Sequence, residues 1–544
     1  MNNRILRSAK LVAIYMAIFA LLTPLFYSFK PEPGTDLFEI SKNLSIFSSV
    51  YKEIDLNYVE EVEPGKFMKT GIDAMLKSLD PYTNYIPESR IEDYRLMTTG
   101  EYGGIGSLIR KDDEYVIISE PYEGYPAQRA GLQAGDKIVE VDGHDVKGKN
   151  TKEISALLKG QSGTKLEMKY ERDGEITSVE LVREKVKLAD VPYSGMIDSD
   201  NNIGYVKLNS FTTTASMNVG KSIQELKDQG MEKLVFDLRG NGGGLLNEAV
   251  SIVNFFIPKN TIVVETKGRV PEVNRTYRTQ VQPMDDKMPV VVLVDGNSAS
   301  ASEIVTGAIQ DWDRGIVVGR RSFGKGLVQK PVELPDGSMV RLTTSRYYTP
   351  TGRSIQKPYE DGSEAYRKEK YERFKNGEVY HADSIDFPDS LKFETMSTGR
   401  AVYGGGGIMP DFYVPVDTSE TSDYFSNLIR KGIMNSFILE YVDKNRKKLK
   451  EKYPTFADFK KGFDGSSLTK DLIEAAKKEK LEFNKEEFNT SKHIIEVRIK
   501  AMVAQNIWDY TKFYEIINEL NNSYKKALEI LDDGSYEKVN LAAN

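Results

Sequence analysis

The chain reads as a multidomain α/β protein with an N-terminal membrane segment and helical region, a β-rich module, an α/β core and a helical C-terminal region. Three observations carry this. An apolar stretch of membrane length follows basic residues at the start, short glycine-punctuated strands fill 101–187, and strand-like and helix-periodic runs alternate over 188–417. At 544 residues there is room for several domains of roughly 100–200 residues each. The boundaries we read are 1–35 (signal anchor or signal peptide and linker), 36–100 (N-terminal helical region), 101–187, 188–417 (with an insertion at about 357–400) and 418–544.

Arg4, Arg7 and Lys10 precede the apolar residues 11–29. A positive region before a membrane-length segment marks export or anchoring. The segment is near the minimum for a spanning helix and longer than a usual signal core of about 7–15 residues. Phe26, Tyr27, Phe29 and Lys30 leave no small-x-small cleavage site, which favours an uncleaved anchor over a cleaved signal. The positive residues stay inside, so the rest of the chain is expected on the outer face of the cytoplasmic membrane, the periplasmic side in a diderm cell. After a Pro/Gly linker, Leu37, Ile40, Leu44, Phe47, Val50 and Ile54 recur at helical spacing, predicting an amphipathic helix.

Composition excludes several classes. The net charge of -7 argues against a nucleic-acid binder. The absence of cysteine removes thiol catalysis, disulfides and most structural zinc sites, and no metal or cofactor is expected.

The chemistry concentrates after a strand-like run at 290–294. It breaks at Asp295-Gly296 into Asn297, Ser298, Ala299, Ser300, Ala301, Ser302 and Glu303, which open a helix-periodic segment. Strand, sharp turn, serine and helix present a nucleophilic hydroxyl at the mouth of a sheet. The same spacing, Ser300-x-x-Glu303, is also a capping box, and chemistry alone would accept any of the three serines. The three histidines, His144, His381 and His493, all fall far away in sequence, so a neutral lysine is the natural proton acceptor. Lys325, between Phe323-Gly324 and Gly326, is the candidate; it must lose about three pKa units, which requires burial. A nucleotide hydrolase competes for the same residues, because Gly319-x-x-x-x-Gly324-Lys325 copies most of a phosphate loop. Gly326 stands where Ser or Thr would hold magnesium, and 327–332 reads as a strand.

Taken together, residues 297–303, Gln310-Asp311, Val318-Gly319, Phe323-Gly324-Lys325-Gly326 and Gln329 resemble the carboxyl-terminal processing peptidases, the tail-specific serine proteases of the S41 type. Leu79-Asp80-Pro81, Gly103-Gly104-Ile105-Gly106, Asp237-Leu238-Arg239, Gly242-Gly243-Gly244 and Gly407-Ile408-Met409-Pro410-Asp411 extend the resemblance over about 40–415. It implies Ser300 as nucleophile, Lys325 as base and Gln329 orienting the lysine amine. It also implies oxyanion donors from the backbone of Ala301 and of Gly243 or Gly244, with Glu303 and Asp311 as structural support. Residues 126–143, with Gly135-Asp136-Lys137-Ile138 and Val141-Asp142-Gly143, resemble a PDZ domain, which implies that Gly104, Ile105 and Gly106 bind a peptide tail.

The reading that follows is a serine endopeptidase with a Ser-Lys dyad that cleaves exported proteins after recognising their C-terminal tails. A catalytically silent peptide-binding scaffold of the same fold is the alternative. The expected partners are polypeptides with free C-terminal tails, the membrane through the N-terminal segment, and a second copy of the chain, but not nucleic acid. Arg341, Arg346, Tyr347 and Tyr348 are either substrate-groove or ordinary surface residues. The charged insertion reads as a surface excursion, and patterns at 424–441 and 494–531 predict C-terminal helices.

Overall fold

A computed structural model describes residues 37–541 apart from positions 113, 123, 134, 173, 199, 386 and 540. The segment read as a membrane anchor lies outside the described residues; among those described, no helix is long and apolar enough to cross a membrane. Two compact units divide between Ala74 and Met75.

In the first unit the helix Leu37–Asn57 buries none of its residues, and Leu37, Leu44 and Val50 are exposed. Tyr51 ties its far end to the start of the next helix. The hydroxyl donates to the Pro64 carbonyl at 2.6 Å, and the ring lies 5.6 Å from that of Phe67.

In the second unit a six-stranded sheet keeps its strands in chain order: Tyr193–Asp198, Ile203–Lys207, Lys233–Asp237, Val290–Val294, Ile316–Gly319 and Phe412–Tyr413. The first pair is antiparallel and the rest are parallel. Right-handed crossovers that never reverse direction place their helices on one face, here Ala215–Asp228, Leu246–Val253 and Ala301–Asp311. Side chains alternate accordingly. Val290, Val292 and Val294 pack with Ile304, Val305 and Ala308, whereas Val291 and Leu293 meet Ala527, Ile530 and Leu531 of the C-terminal helix Asn522–Asp532. With both faces covered, every residue of Val290–Val294 is buried, which is why this strand is apolar throughout.

The β-rich module is a sheet of Ser107–Asp112, Tyr115–Pro121, Lys137–Val141, Lys165–Arg172 and Glu175–Val182, with Ser107–Asp112 at its edge and the helix Thr151–Leu158 beside it. Its own core includes Val116, Ile118, Ile138, Ile154 and Met168. A third sheet, Asn84–Ile86, Met339–Tyr348, Ile262–Gly268 and Arg275–Arg278, carries Leu327–Glu333 on Met339–Tyr348. The C-terminal region has a core of its own around Leu428, Ile438, Phe459, Leu472 and Val503. The pattern at 424–441 divides there at Gly432 (φ 69°) into the helices Asp423–Arg430 and Ile433–Lys452.

The insertion differs from its sequence reading. Gly362–Lys375 is a helix with Ser363, Tyr366 and Arg373 buried. Arg373 donates to the carbonyls of Ser322 at 2.7 Å and Phe323 at 3.2 Å. A helix that docks through a tyrosine, a serine and an arginine shows no apolar stripe in its sequence.

Candidate active site

Ser300 stands between the strand Val290–Val294 and the helix Ala301–Asp311, in the left-handed region at φ 59°. A non-glycine residue held there stores on the order of 1–3 kcal/mol, a strain that clusters at functional sites. The neighbouring serines are otherwise engaged. Ser298 Oγ donates to the Leu238 carbonyl at 2.8 Å and accepts from Asp295 N–H at 2.9 Å; Ser302 Oγ donates to the Asn241 carbonyl at 2.9 Å. Both are fully buried, whereas Ser300 lines a cavity of 430 Å³ together with Lys325, Gln329, Gly242, Gly243, Gly244 and Ala301.

Glu303 is indeed part of a helix start, but it does more than cap. Its carboxylate accepts from Ser300 N–H at 2.8 Å, Lys325 N–H at 2.9 Å, Gly324 N–H at 2.7 Å and Ser322 Oγ–H at 2.5 Å. One fully buried side chain therefore fixes the serine turn and the lysine loop to each other. Burial pushes its pKa up, against the pull of those donors. The two amides that a phosphate loop would offer to a nucleotide, Gly324 and Lys325, are occupied by this carboxylate, and Leu327–Glu333 is a strand. Tyr347 joins the same two elements from another side: its hydroxyl donates to the Lys325 carbonyl at 2.6 Å and lies 3.2 Å from the Ser300 carbonyl.

The Lys325 ammonium forms no ion pair among the described residues; it lies 4.6 Å from the centre of the Tyr82 ring. Burial first, and the Arg341 guanidinium second, push its pKa down to about 8, against the opposing influence of Glu303 and Asp80. The cavity is lined by two basic residues, Lys325 and Arg341, and by no acidic one. Tyr82 is held by a hydrogen bond between its hydroxyl and that of Tyr366, from the insertion helix. Gln329 donates from Nε2 to Thr343 Oγ1 at 3.2 Å, and Thr343 Oγ1 donates to Asp80 Oδ1 at 3.1 Å. Asp80 in turn accepts from the N–H groups of Tyr82 at 2.7 Å and Thr83 at 2.9 Å.

The glycine run meets the serine turn directly. A Cβ on Gly243 (φ 100°) would stand 2.8 Å from Ser300 Cβ, so only glycine fits. Gly243 N–H is taken by Asn241 Oδ1 at 2.9 Å, whereas the N–H groups of Gly244 and Ala301 have no acceptor among the described residues. Asn241 also accepts, through its carbonyl, from Ala299 N–H at 3.0 Å. Asp311 lies at the other end of the helix Ala301–Asp311, in a fully buried ion pair with Arg353 at 2.6 Å. It is brought to the base of the core and not to the cavity.

In the β-rich module the Ile105 side chain is buried in the core, and Ala127 N–H donates to its carbonyl at 2.8 Å. Gly104 ends a strand paired with Glu184–Lys187; Gly106 (φ 69°) leaves a Cβ only 2.2 Å from Tyr125 Cβ. The N–H groups of Ile105 and Gly106 have no acceptor among the described residues, and they precede the free edge of Ser107–Asp112.

Several residues around the site had no assigned role in the sequence reading. Tyr82, Tyr366 and Asn241 give no local signal, because their partners are remote in the chain. Arg341 and Tyr347 belong to the site, while Arg346 is exposed and Tyr348 stacks on Lys267 at 4.8 Å. The signal available for Tyr347 was its alternation on a strand with Ser345 and Arg341.

Comparison with known proteins gives the family. The model of peptidase family S41 matches residues 202–362, that of a PDZ domain residues 117–172, and that of a family of unknown function residues 424–509. A protein described as a probable CtpA-like serine protease of Staphylococcus aureus (strain N315) is 33% identical over 341 residues, 62% of this chain and 68% of the relative. A carboxy-terminal-processing protease of Bartonella bacilliformis is 34% identical over 321 residues, 58% of this chain and 73% of the relative. The structure of a photosystem II D1 C-terminal processing protease is 28% identical, covers 68% of this chain and 92% of its own, and aligns with a TM-score of 0.35. On the identities and coverages of the two sequence relatives the chain belongs to peptidase family S41, among the carboxy-terminal-processing serine proteases, and carries a PDZ domain.

Proposed function

We propose that this peptidase works through a Ser300–Lys325 dyad on exported proteins whose C-terminal tails it first captures. Neutral Lys325 takes the Ser300 hydroxyl proton as Oγ attacks the scissile carbonyl, then returns it to the leaving amine; water resolves the acyl-enzyme by the same route. With its Nε2 committed to Thr343, Gln329 keeps Oε1 to accept from the lysine amine. Ala301 and Gly244 supply the oxyanion N–H groups, since Gly243 N–H is engaged by Asn241. Glu303 and Tyr347 are positioning residues. The observation that carries the assignment is the division of labour among three serines: Ser298 and Ser302 are buried and hydrogen-bonded, and Ser300 shares a cavity with a lysine that has no carboxylate partner.

The tail binds as an added strand on the free edge of Ser107–Asp112, its carboxylate on the amides of Ile105 and Gly106 and the glycine Gly104. Residues 11–29 anchor the chain, with the peptidase on the outer face of the cytoplasmic membrane, and the exposed apolar stripe of Leu37–Asn57 supports pairing with a second copy.

The test is cleavage of an unfolded protein with a free or amidated C-terminus by the wild type and by Ser300→Ala. Cleavage that is abolished in the variant and reduced by amidation is expected. Residual activity in Ser300→Ala would move the nucleophile elsewhere, and indifference to amidation would remove the tail-capture step.

A further inference from the structure

The loops that end at Ser300, Gly243 and Lys325 wall a second cavity with their other ends. Arg239 and Gly240, Asp295, and Arg320 line a space of 530 Å³ between the C-terminal ends of the parallel strands and the C-terminal helices, with Arg498 and Asn518 facing it from the helical side. Crevices outside the carboxyl ends of parallel strands are where open α/β sheets take ligands.

Its lining carries four basic side chains, Lys207, Arg239, Arg320 and Arg498, against three acidic ones, Asp237, Asp295 and Asp417, an excess of positive charge in a chain of net charge -7. Lys207 and Arg239 share a single buried carboxylate, Asp237, at 3.4 and 2.6 Å. Arg320 and Arg498 have no acidic partner among the described residues. The other two acids in the lining keep their charge but direct their oxygens to neutral donors: Asp295 accepts from Gly240 N–H at 3.0 Å and Asn297 N–H at 2.9 Å, and Asp417 from Ser419 N–H at 2.9 Å and Asn522 Nδ2 at 3.3 Å. Arg498 is itself desolvated, and burial pushes its pKa down. Seven buried side-chain polar atoms lack a close hydrogen-bond partner among the described residues, and three of them, Arg239 Nη1, Arg498 Nε and Asn518 Nδ2, belong to this one lining, the Asn518 amide also facing the Tyr205 hydroxyl. Buried donors and cations without a counter-charge are costly, and an anion is the partner that relieves both.

We propose that this cavity binds a small oxyanion, a phosphate or a carboxylate, between Arg239, Arg320 and Arg498, and that the bound anion steadies the glycine loop from behind the active site. The link is short. Arg239 and Gly240 begin the loop, Asn241 ties it to Ala299 and Ser302, and Gly243 packs on Ser300. The anion site stands independently of the serine chemistry; only its effect on turnover rests on that reading.

The experiment is titration calorimetry of the full chain with inorganic phosphate and, separately, with succinate, at fixed ionic strength. Saturable binding is expected, weakened on the order of 10-fold in Arg320→Met and in Arg498→Met and lost in the pair, since each removes a charge-assisted contact. A response to phosphate alone assigns a phosphoryl ligand; a response to both extends the site to carboxylates. No saturable uptake of either anion, or equal uptake by wild type and the double variant, overturns the site. Arg320 is only half-buried, so its variant serves even if Arg498→Met fails to fold. Saturating anion should also change the peptidase kcat of the wild type but not of the double variant; proven binding with unchanged kcat refutes the coupling to the loop.

Discussion

Replacing Lys325, the proposed base, should make the protein more stable and inactive at once. Lys325 is held in a cavity without a carboxylate, where burial and Arg341 push its pKa down to about 8 from the ordinary 10.5. Because the folded value lies below the unfolded one, the unfolded chain holds the proton more tightly, so the fold is penalised at low pH and recovers as pH rises from 8 towards 10.5. The penalty is about 3 kcal/mol at pH 7 and about 1.4 kcal/mol at pH 9.5, upper figures because the face of Tyr82 returns part of it. Lys325→Met, close in length and uncharged, removes that penalty. Urea unfolding read from Trp312 in a Trp508→Phe background, which leaves one tryptophan of two, should show the variant ahead at pH 7. Its lead should shrink by roughly 2 kcal/mol by pH 9.5. With Lys325 as the proposed base, the wild-type kcat/KM should fall about tenfold per pH unit below pH 8, as protonation fills the lysine lone pair. A Lys325→Met protein less stable than wild type at pH 7, or a difference that does not move with pH, would refute the depressed lysine.

Glu303→Gln keeps one acceptor oxygen and puts an NH2 against donors, orphaning one pair of Ser300 N–H with Lys325 N–H or Gly324 N–H with Ser322 Oγ. We expect a loss of about 2–6 kcal/mol in urea or a comparable loss in kcat, and wild-type values for both would show that Glu303 positions nothing. Gly243→Ala forces a Cβ onto Ser300 at φ 100°, so kcat should fall at least about 100-fold while tail binding, measured on the PDZ domain's edge, is unaltered. Tyr347→Phe removes the donor to the Lys325 carbonyl and should lower kcat about tenfold with little change in KM; an equal loss in KM would point to a substrate contact instead.

Parts of this were legible without a structure because they are written locally. The run of apolar residues at 290–294, the turn at Asp295-Gly296 and the serine-rich helix start are contiguous, and each imposes a backbone choice on its neighbours. The same holds for glycine runs such as Gly242-Gly243-Gly244, and for the Gly135-Asp136-Lys137-Ile138 and Val141-Asp142-Gly143 motifs that carry the PDZ resemblance. The insertion was illegible for the opposite reason: its helix is held by Tyr366 and Arg373, whose contacts lie on the Lys325 loop and on Tyr82, far off in sequence.

By itself, then, the sequence determined the candidate chemistry, a serine on a strand–helix turn and a lysine between glycines, because nucleophile turns and glycine conformations are properties of a few consecutive residues. Only the tertiary structure decided which serine is left uncommitted, that Glu303 clamps two loops, that Arg341 and the Tyr82 face surround the lysine amine, and that the C-terminal helices cover the second face of the sheet. Those are outcomes of desolvation and long-range packing: a pKa or a hydroxyl's availability depends on which remote groups share its cavity, and no local pattern records that.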